Sequence, residues 1–151
     1  MNYNIVGDSL IENYKSENVM CFRGRTLENF LIECDNLLTN LRETYIFSFG
    51  ANDLSSGIHE DDVIKNYNVL CDKYKRCMII LPPFQSKFFY DKCINNISEE
   101  ATLILTFISN YTTIDGLHPD ERMLDELKLD IENDDKWYDI NKIELYLYHN
   151  F

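Results

Sequence analysis

Short apolar runs alternate along this chain with longer amphipathic segments, and that alternation restricts the fold more than any other feature. Tyr3–Val6, Asn18–Phe22, Thr44–Phe49, Cys77–Leu81 and Thr102–Phe107 are short runs of β-branched, aromatic and other apolar residues, and each reads as a strand. The segments between them read as helical. Ile11–Ser16 has room for a turn or two. Thr26 is placed to cap a helix reaching Leu41, with Leu27, Phe30, Leu31, Leu37, Leu38 and Leu41 at near-helical spacing. His59–Tyr74 carries Val63, Tyr67, Leu70 and Tyr74 on one stripe. Phe84–Ile97 and Pro119–Ile131 complete the set, and Pro82-Pro83 stops the fourth strand because proline cannot donate to a ladder. Strands separated by helices of this length imply βαβ units, an α/β fold and a five-stranded parallel sheet with helices on both faces. Such sheets bind ligands beyond the carboxyl ends of their strands.

The chain of 151 residues suits one domain with one core, and 45% apolar residues with only five Gly and three Pro mark it as globular. Without repeat or linker, residues 1–131 read as a single domain and 132–151 as a C-terminal extension. The alternation in Ile143-Glu144-Leu145-Tyr146-Leu147-Tyr148 suggests that this extension forms an extra strand or a packing arm, on the domain or in a homodimer. A net charge of −12 is the wrong sign for a nucleic-acid partner or an anionic membrane surface. The five cysteines (Cys21, Cys34, Cys71, Cys77 and Cys93) are odd in number and lack paired short spacing, so neither a disulfide framework nor a metal site is expected. Reduced thiols, an N-terminus without the basic and apolar regions of a signal peptide, and no apolar stretch near the ~20 residues of a membrane span lead to the expectation of a soluble, cytoplasmic protein. No phosphate-loop or dinucleotide fingerprint occurs, and no cofactor is expected.

Four loops with chemistry-bearing residues follow strand candidates in order: Gly7-Asp8-Ser9-Leu10, Phe22-Arg23-Gly24-Arg25, Gly50-Ala51-Asn52-Asp53 and Asp115-Gly116-Leu117-His118-Pro119. Acyl transfer calls for these residue types. A serine hydroxyl needs a base to take its proton, imidazole suits that task, and a carboxylate must orient and stabilise the imidazole. Asp115 and His118, three apart around a glycine, can meet within one loop. An oxyanion needs donors, which the Asn52 side-chain amide and the Gly24 and Ser9 backbone N–H groups offer. Taken singly, each motif has a plainer meaning. Ser9 is a helix cap, Gly50–Asp53 a turn, and His118-Pro119 the start of a helix. Joint occurrence in order favours the site. Arg23 and Arg25 stand out in an acidic chain, and pairing with surface acids is favoured over contact with substrate. His59 opens an acidic helix as a solvated terminal residue.

Across roughly residues 3–130 these blocks resemble the SGNH (GDSL-type) hydrolase family, whose blocks contribute Ser, Gly, Asn and His. Gly7-Asp8-Ser9-Leu10 matches the first block, Gly50-Ala51-Asn52-Asp53 the third and Asp115–Pro119 the last, while Gly24-Arg25-Thr26-Leu27 fits the second loosely. The resemblance implies a flavodoxin-like three-layer α/β/α sandwich and ester hydrolysis without metal or organic cofactor. It also implies a Ser9–His118–Asp115 triad and an oxyanion hole from Ser9, Gly24 and Asn52. The expected activity is that of an esterase or deacylase on a small, short-chain (acetyl-like) ester, with an acylated carbohydrate as one such substrate. Lysophospholipase or thioesterase activity, and a non-catalytic binding module on the same fold, are the alternatives.

Overall fold

All five predicted strands pair into one sheet. β1 (Asn4–Gly7), β2 (Val19–Cys21), β3 (Tyr45–Ser48), β4 (Cys77–Ile80) and β5 (Thr102–Ile104) lie in the order β2-β1-β3-β4-β5, each neighbouring pair parallel. The computed structural model describes residues 3–108 and 111–133. The expected C-terminal strand or arm, with its homodimer role, lies outside the described residues.

The register sets the two faces. Ile5, Ile46 and Met78 pair across the sheet and point one way, while Val6, Phe47, Ile79 and Leu103 form the adjacent row and point the other. Helices α1 (Leu27–Leu37), α3 (Glu60–Lys73) and α4 (Lys87–Asn96) bury Phe30, Tyr67, Leu70, Phe89 and Tyr90 against the Val6 row. On the Ile5 face, α5 (Glu121–Glu132) buries Met123, Leu127 and Ile131 beside a 3-10 turn at Ser9–Ile11. The result is a three-layer α/β/α sandwich, as expected. Among the described residues no helix is long and apolar enough to cross a membrane.

Side-chain caps set most helix starts. Thr26 Oγ1 accepts the Asn29 N–H at 3.1 Å, Ser86 Oγ the Phe89 N–H at 3.1 Å, and Asp120 Oδ1 the Met123 N–H at 2.9 Å. His59 caps α3 through Nδ1, which accepts the Asp61 N–H at 3.1 Å, and so has the terminal role expected of it.

Several boundaries differ from expectation for physical reasons. α1 stops at Leu37 rather than Leu41, because Leu38 leaves helical geometry to bury its side chain while Leu41 stays exposed. α4 starts at Lys87 rather than Phe84, because Phe84 has a left-handed φ of 65° that no helix admits. Pro119 does not open α5: it bridges back to Thr113, and Asp120 caps the helix instead. Helical geometry after β1 comes at Ser9–Ile11, ahead of the expected Ile11–Ser16.

Where the Gly50–Asp53 block reads as a turn, the structure has a short helix, α2 (Ala51–Ser55). Gly50 makes the turn into it with φ 114°, and a Cβ there would lie 2.2 Å from the Tyr67 hydroxyl, which itself donates to the Phe49 carbonyl at 2.8 Å. Gly50→Ala is therefore expected to lower the unfolding free energy by about 3 kcal/mol, measured by urea denaturation. Adding Tyr67→Phe should recover the part due to crowding but not the part due to φ.

Candidate active site

The carboxyl ends of the strands are where the four sequence blocks meet. Leaving β1, the Asp8 N–H donates to the Ser48 carbonyl at 3.0 Å, and the Gly7 carbonyl accepts the Phe22 N–H at 2.8 Å. The backbone then turns sharply. Asp8 Oδ1 accepts the Leu10 N–H at 3.0 Å and so caps the 3-10 turn that Ser9 begins. The cap is thus Asp8, which leaves the Ser9 hydroxyl for other partners.

Its partner comes from the loop after β5. Thr113 and Pro119 bridge across that loop, and the Ile114 N–H donates to the His118 carbonyl at 3.0 Å. Asp115 organises the interior. Its Oδ1 accepts the backbone N–H groups of Leu117 at 3.0 Å and His118 at 2.8 Å, and its Oδ2 lies 2.7 Å from His118 Nδ1. These contacts, led by the His118 N–H and its imidazole, hold the Asp115 carboxyl at about 2, well below the usual carboxylate range. An ionised Asp115 fixes the proton on Nδ1 and leaves Nε2 as acceptor. His118 Nε2 lies 3.1 Å from Ser9 Oγ. Ser9, His118 and Asp115 thus form one hydrogen-bonded row from two loops.

Gly24 and Asn52 sit on the same edge of the sheet. Gly24 occupies an exposed turn with φ 72°, closed by the Arg25 N–H donating to the Phe22 carbonyl at 3.1 Å. One N–H of the Asn52 amide donates to the Arg25 carbonyl at 3.1 Å, which fixes the amide plane and leaves its second N–H for another acceptor. Asn52 therefore braces the glycine loop. Arg23 pairs with Glu12, and Arg25 pairs with Glu33 while lying over the Phe22 ring, which matches the surface role favoured from sequence.

Sequence reasoning assigned no role to two buried acids. Asp53, fully buried, accepts the Leu27 N–H at 2.7 Å and the Glu28 N–H at 3.1 Å. It holds the start of α1, and with it the loop bearing Gly24, against α2. No local pattern reveals this, because the partners are 26 and 25 residues away. Asp8 is 1% exposed, and its Oδ2 has no hydrogen-bond partner among the described residues. Burial pushes its carboxyl up to about 6, against the pull of the Leu10 N–H.

A cavity of about 240 Å³ opens behind the His118 loop, between Tyr14, Lys15, Ile114, Pro119 and Leu124. Ser9, Asp115 and His118 do not line it. Among the described residues no cluster of His, Cys, Asp and Glu is arranged to hold a metal. All five cysteines are free thiols.

Neither a protein-family model nor a curated protein sequence matches the chain. Solved structures do match its fold. TesA superposes with a TM-score of 0.65 at 14% identity, covering 87% of this chain and 96% of TesA. The psychrotrophic esterase EstA from Pseudoalteromonas sp., inhibited by monoethylphosphonate, gives 0.59 at 15%, covering 89% and 97%. AlinE4, an SGNH-hydrolase family esterase, gives 0.56 at 18%, covering 88% and 95%. The chain has the α/β/α fold of SGNH-hydrolase esterases.

Asp8 generates a prediction with a defined sign. A carboxyl raised from 3.8 to about 6 keeps its proton longer in the folded state than in the unfolded chain, so stability declines as pH rises through that window. Asp8→Asn keeps an acceptor for the Leu10 N–H but cannot ionise. Between about pH 4 and about pH 7 the variant should gain about 2 kcal/mol on the wild type, read from urea unfolding at both pH values. A pH-independent difference would contradict burial of an ionising Asp8.

Proposed function

We propose that this chain is a serine hydrolase of the SGNH type that cleaves ester bonds through an acyl-enzyme. The observation that carries the reading is the row from Asp115 Oδ2 to His118 Nδ1 at 2.7 Å and from His118 Nε2 to Ser9 Oγ at 3.1 Å. Within it, His118 takes the Ser9 proton as Oγ attacks the ester carbonyl, and Asp115 stabilises the imidazolium that forms. Collapse of the tetrahedral intermediate breaks the bond to the alcohol, which leaves with the proton from His118. Water then attacks the acyl-serine, giving its proton to His118, and the acid departs with Ser9 restored.

The oxyanion is assigned to the backbone N–H groups of Ser9 and Gly24 and to the Asn52 amide N–H not engaged by Arg25. Asn52 and Asp53 both hold the Gly24 loop, so their bonds support a preorganised hole. The likeness of fold to SGNH-hydrolase esterases supports the same chemistry.

Short connections favour an open site and a small acyl group such as acetyl. Ser9 lies two residues beyond β1, α2 starts three beyond β3, and α4 is capped at Ser86 soon after β4, leaving no lid among these segments. The acetyl group would be carried by a sugar or a similar neutral alcohol, which suits an acidic surface. A module that only binds has no use for the Ser9–His118 contact.

Turnover of p-nitrophenyl acetate by the wild type and by Ser9→Ala tests the reading. The variant should lose about a thousandfold or more in kcat/KM while unfolding at the same urea concentration. Equal turnover by the two proteins would remove Ser9 as nucleophile.

A further inference from the structure

The loop after β4 carries a ring that folding alone does not explain. Among the described residues Phe84 is the only non-glycine with positive φ, at 65°, and it is 62% exposed. A left-handed backbone is costly for a bulky residue and persists where the surroundings enforce it, commonly beside functional sites. Here the strain is not offset by burial of the ring.

The contacts of Phe84 lead to the Ser9–His118 row. Its ring meets that of Tyr111 edge-on, with centroids 5.0 Å apart at 85°. Tyr111 in turn stands edge-on to Phe107, at 5.2 Å and 80°, and Phe107 is buried in the core. The Tyr111 hydroxyl donates to the Leu117 carbonyl at 2.8 Å, one residue before His118. Burial, and after it the carboxylates of Asp8, Asp115 and Asp120, push that hydroxyl's pKa up. A wall of three aromatic rings therefore runs from the core to the rim beside the site. Ile114 and Leu117, 66% and 52% exposed, extend the apolar rim on the His118 loop.

We infer that Phe84 is a specificity-determining residue whose exposed ring receives a neutral ring with a flat apolar face on the alcohol side of the ester. This rests on the serine-hydrolase reading above. An aromatic face packs well against another flat apolar face, whether an aryl ring or the C–H face of a pyranose. The carboxylates around Tyr111, together with the net charge of −12, disfavour an anionic carrier. A short acyl group and a ring-bearing alcohol then divide the site between the Ser9 loop and the aromatic wall.

The test is a set of kcat/KM ratios at constant acetyl group. Benzyl acetate against ethyl acetate reads the aryl source, and methyl O-acetyl-xyloside against glycerol monoacetate reads the sugar source. The wild type should prefer the ring in at least one pair by about tenfold, and Phe84→Ala should bring that ratio close to unity. Phe84→Gly should lose the ratio too, yet melt at a higher temperature than Phe84→Ala, because glycine relieves the φ. Phe88→Ala, at the exposed second residue of α4 where the ring lies under Lys92, should keep it. No preference in either pair, or a preference that survives Phe84→Ala, would overturn the inference. Labelling of Ser9 by a fluorophosphonate separates the two failures. Labelled protein with flat ratios sinks only the role of Phe84, whereas wild type that takes no label sinks the hydrolase reading beneath it.

Discussion

The Asp115 carboxylate takes three hydrogen bonds from its own loop, two from backbone N–H groups and one from the His118 imidazole, and the rest of the site depends on them. A seven-residue excursion from Thr113 to Pro119 has little core of its own, and Ile114, Asp115, Gly116 and Leu117 are exposed. Its shape is held by polar bonds, with the Gly116 N–H donating to Thr113 Oγ1 at 2.9 Å and Thr112 Oγ1 donating to Asp120 Oδ1 at 2.8 Å. The same carboxylate that folds the loop also selects the imidazole tautomer, so loop geometry and proton inventory are set together. Remove it and both the position and the basic nitrogen of His118 are lost.

Three acids near the strand ends are handled in three ways. Asp115 is half exposed and held ionised by its donors. Asp53 is fully buried but receives two N–H groups at the start of α1, where the helix dipole favours negative charge. Asp8 is buried with one oxygen unpartnered among the described residues, and burial dominates its titration. The first orients the His118 imidazole and the second holds the glycine loop in place. The third caps the turn that presents Ser9, at a cost in stability that grows as the carboxyl ionises.

Much of this was legible in the sequence, because the relevant signals are local. The strands were readable as short apolar runs, since sheets buried on both faces give near-continuous apolar segments. The meeting of Ser9, Asp115 and His118 was readable because turn residues and reactive side chains fall together in post-strand loops. What was not legible is long-range or conformational. Asp53 acts on a helix start 26 residues away, α2 is too short to show periodicity, and the left-handed φ of Phe84 has no sequence marker in a non-glycine. Leu41 fits the helical spacing of α1, yet Leu38 turns into the core first, a packing outcome that spacing alone does not encode.

The central claim is that the Ser9 hydroxyl is activated by His118 for covalent attack. Intact-mass measurement after incubation with a fluorophosphonate, followed by peptide mapping, tests it most directly. A single phosphonyl adduct is expected on the peptide containing Ser9, formed quickly by the wild type and very slowly by His118→Ala. An unmodified mass, or an adduct mapped to another residue, would contradict it.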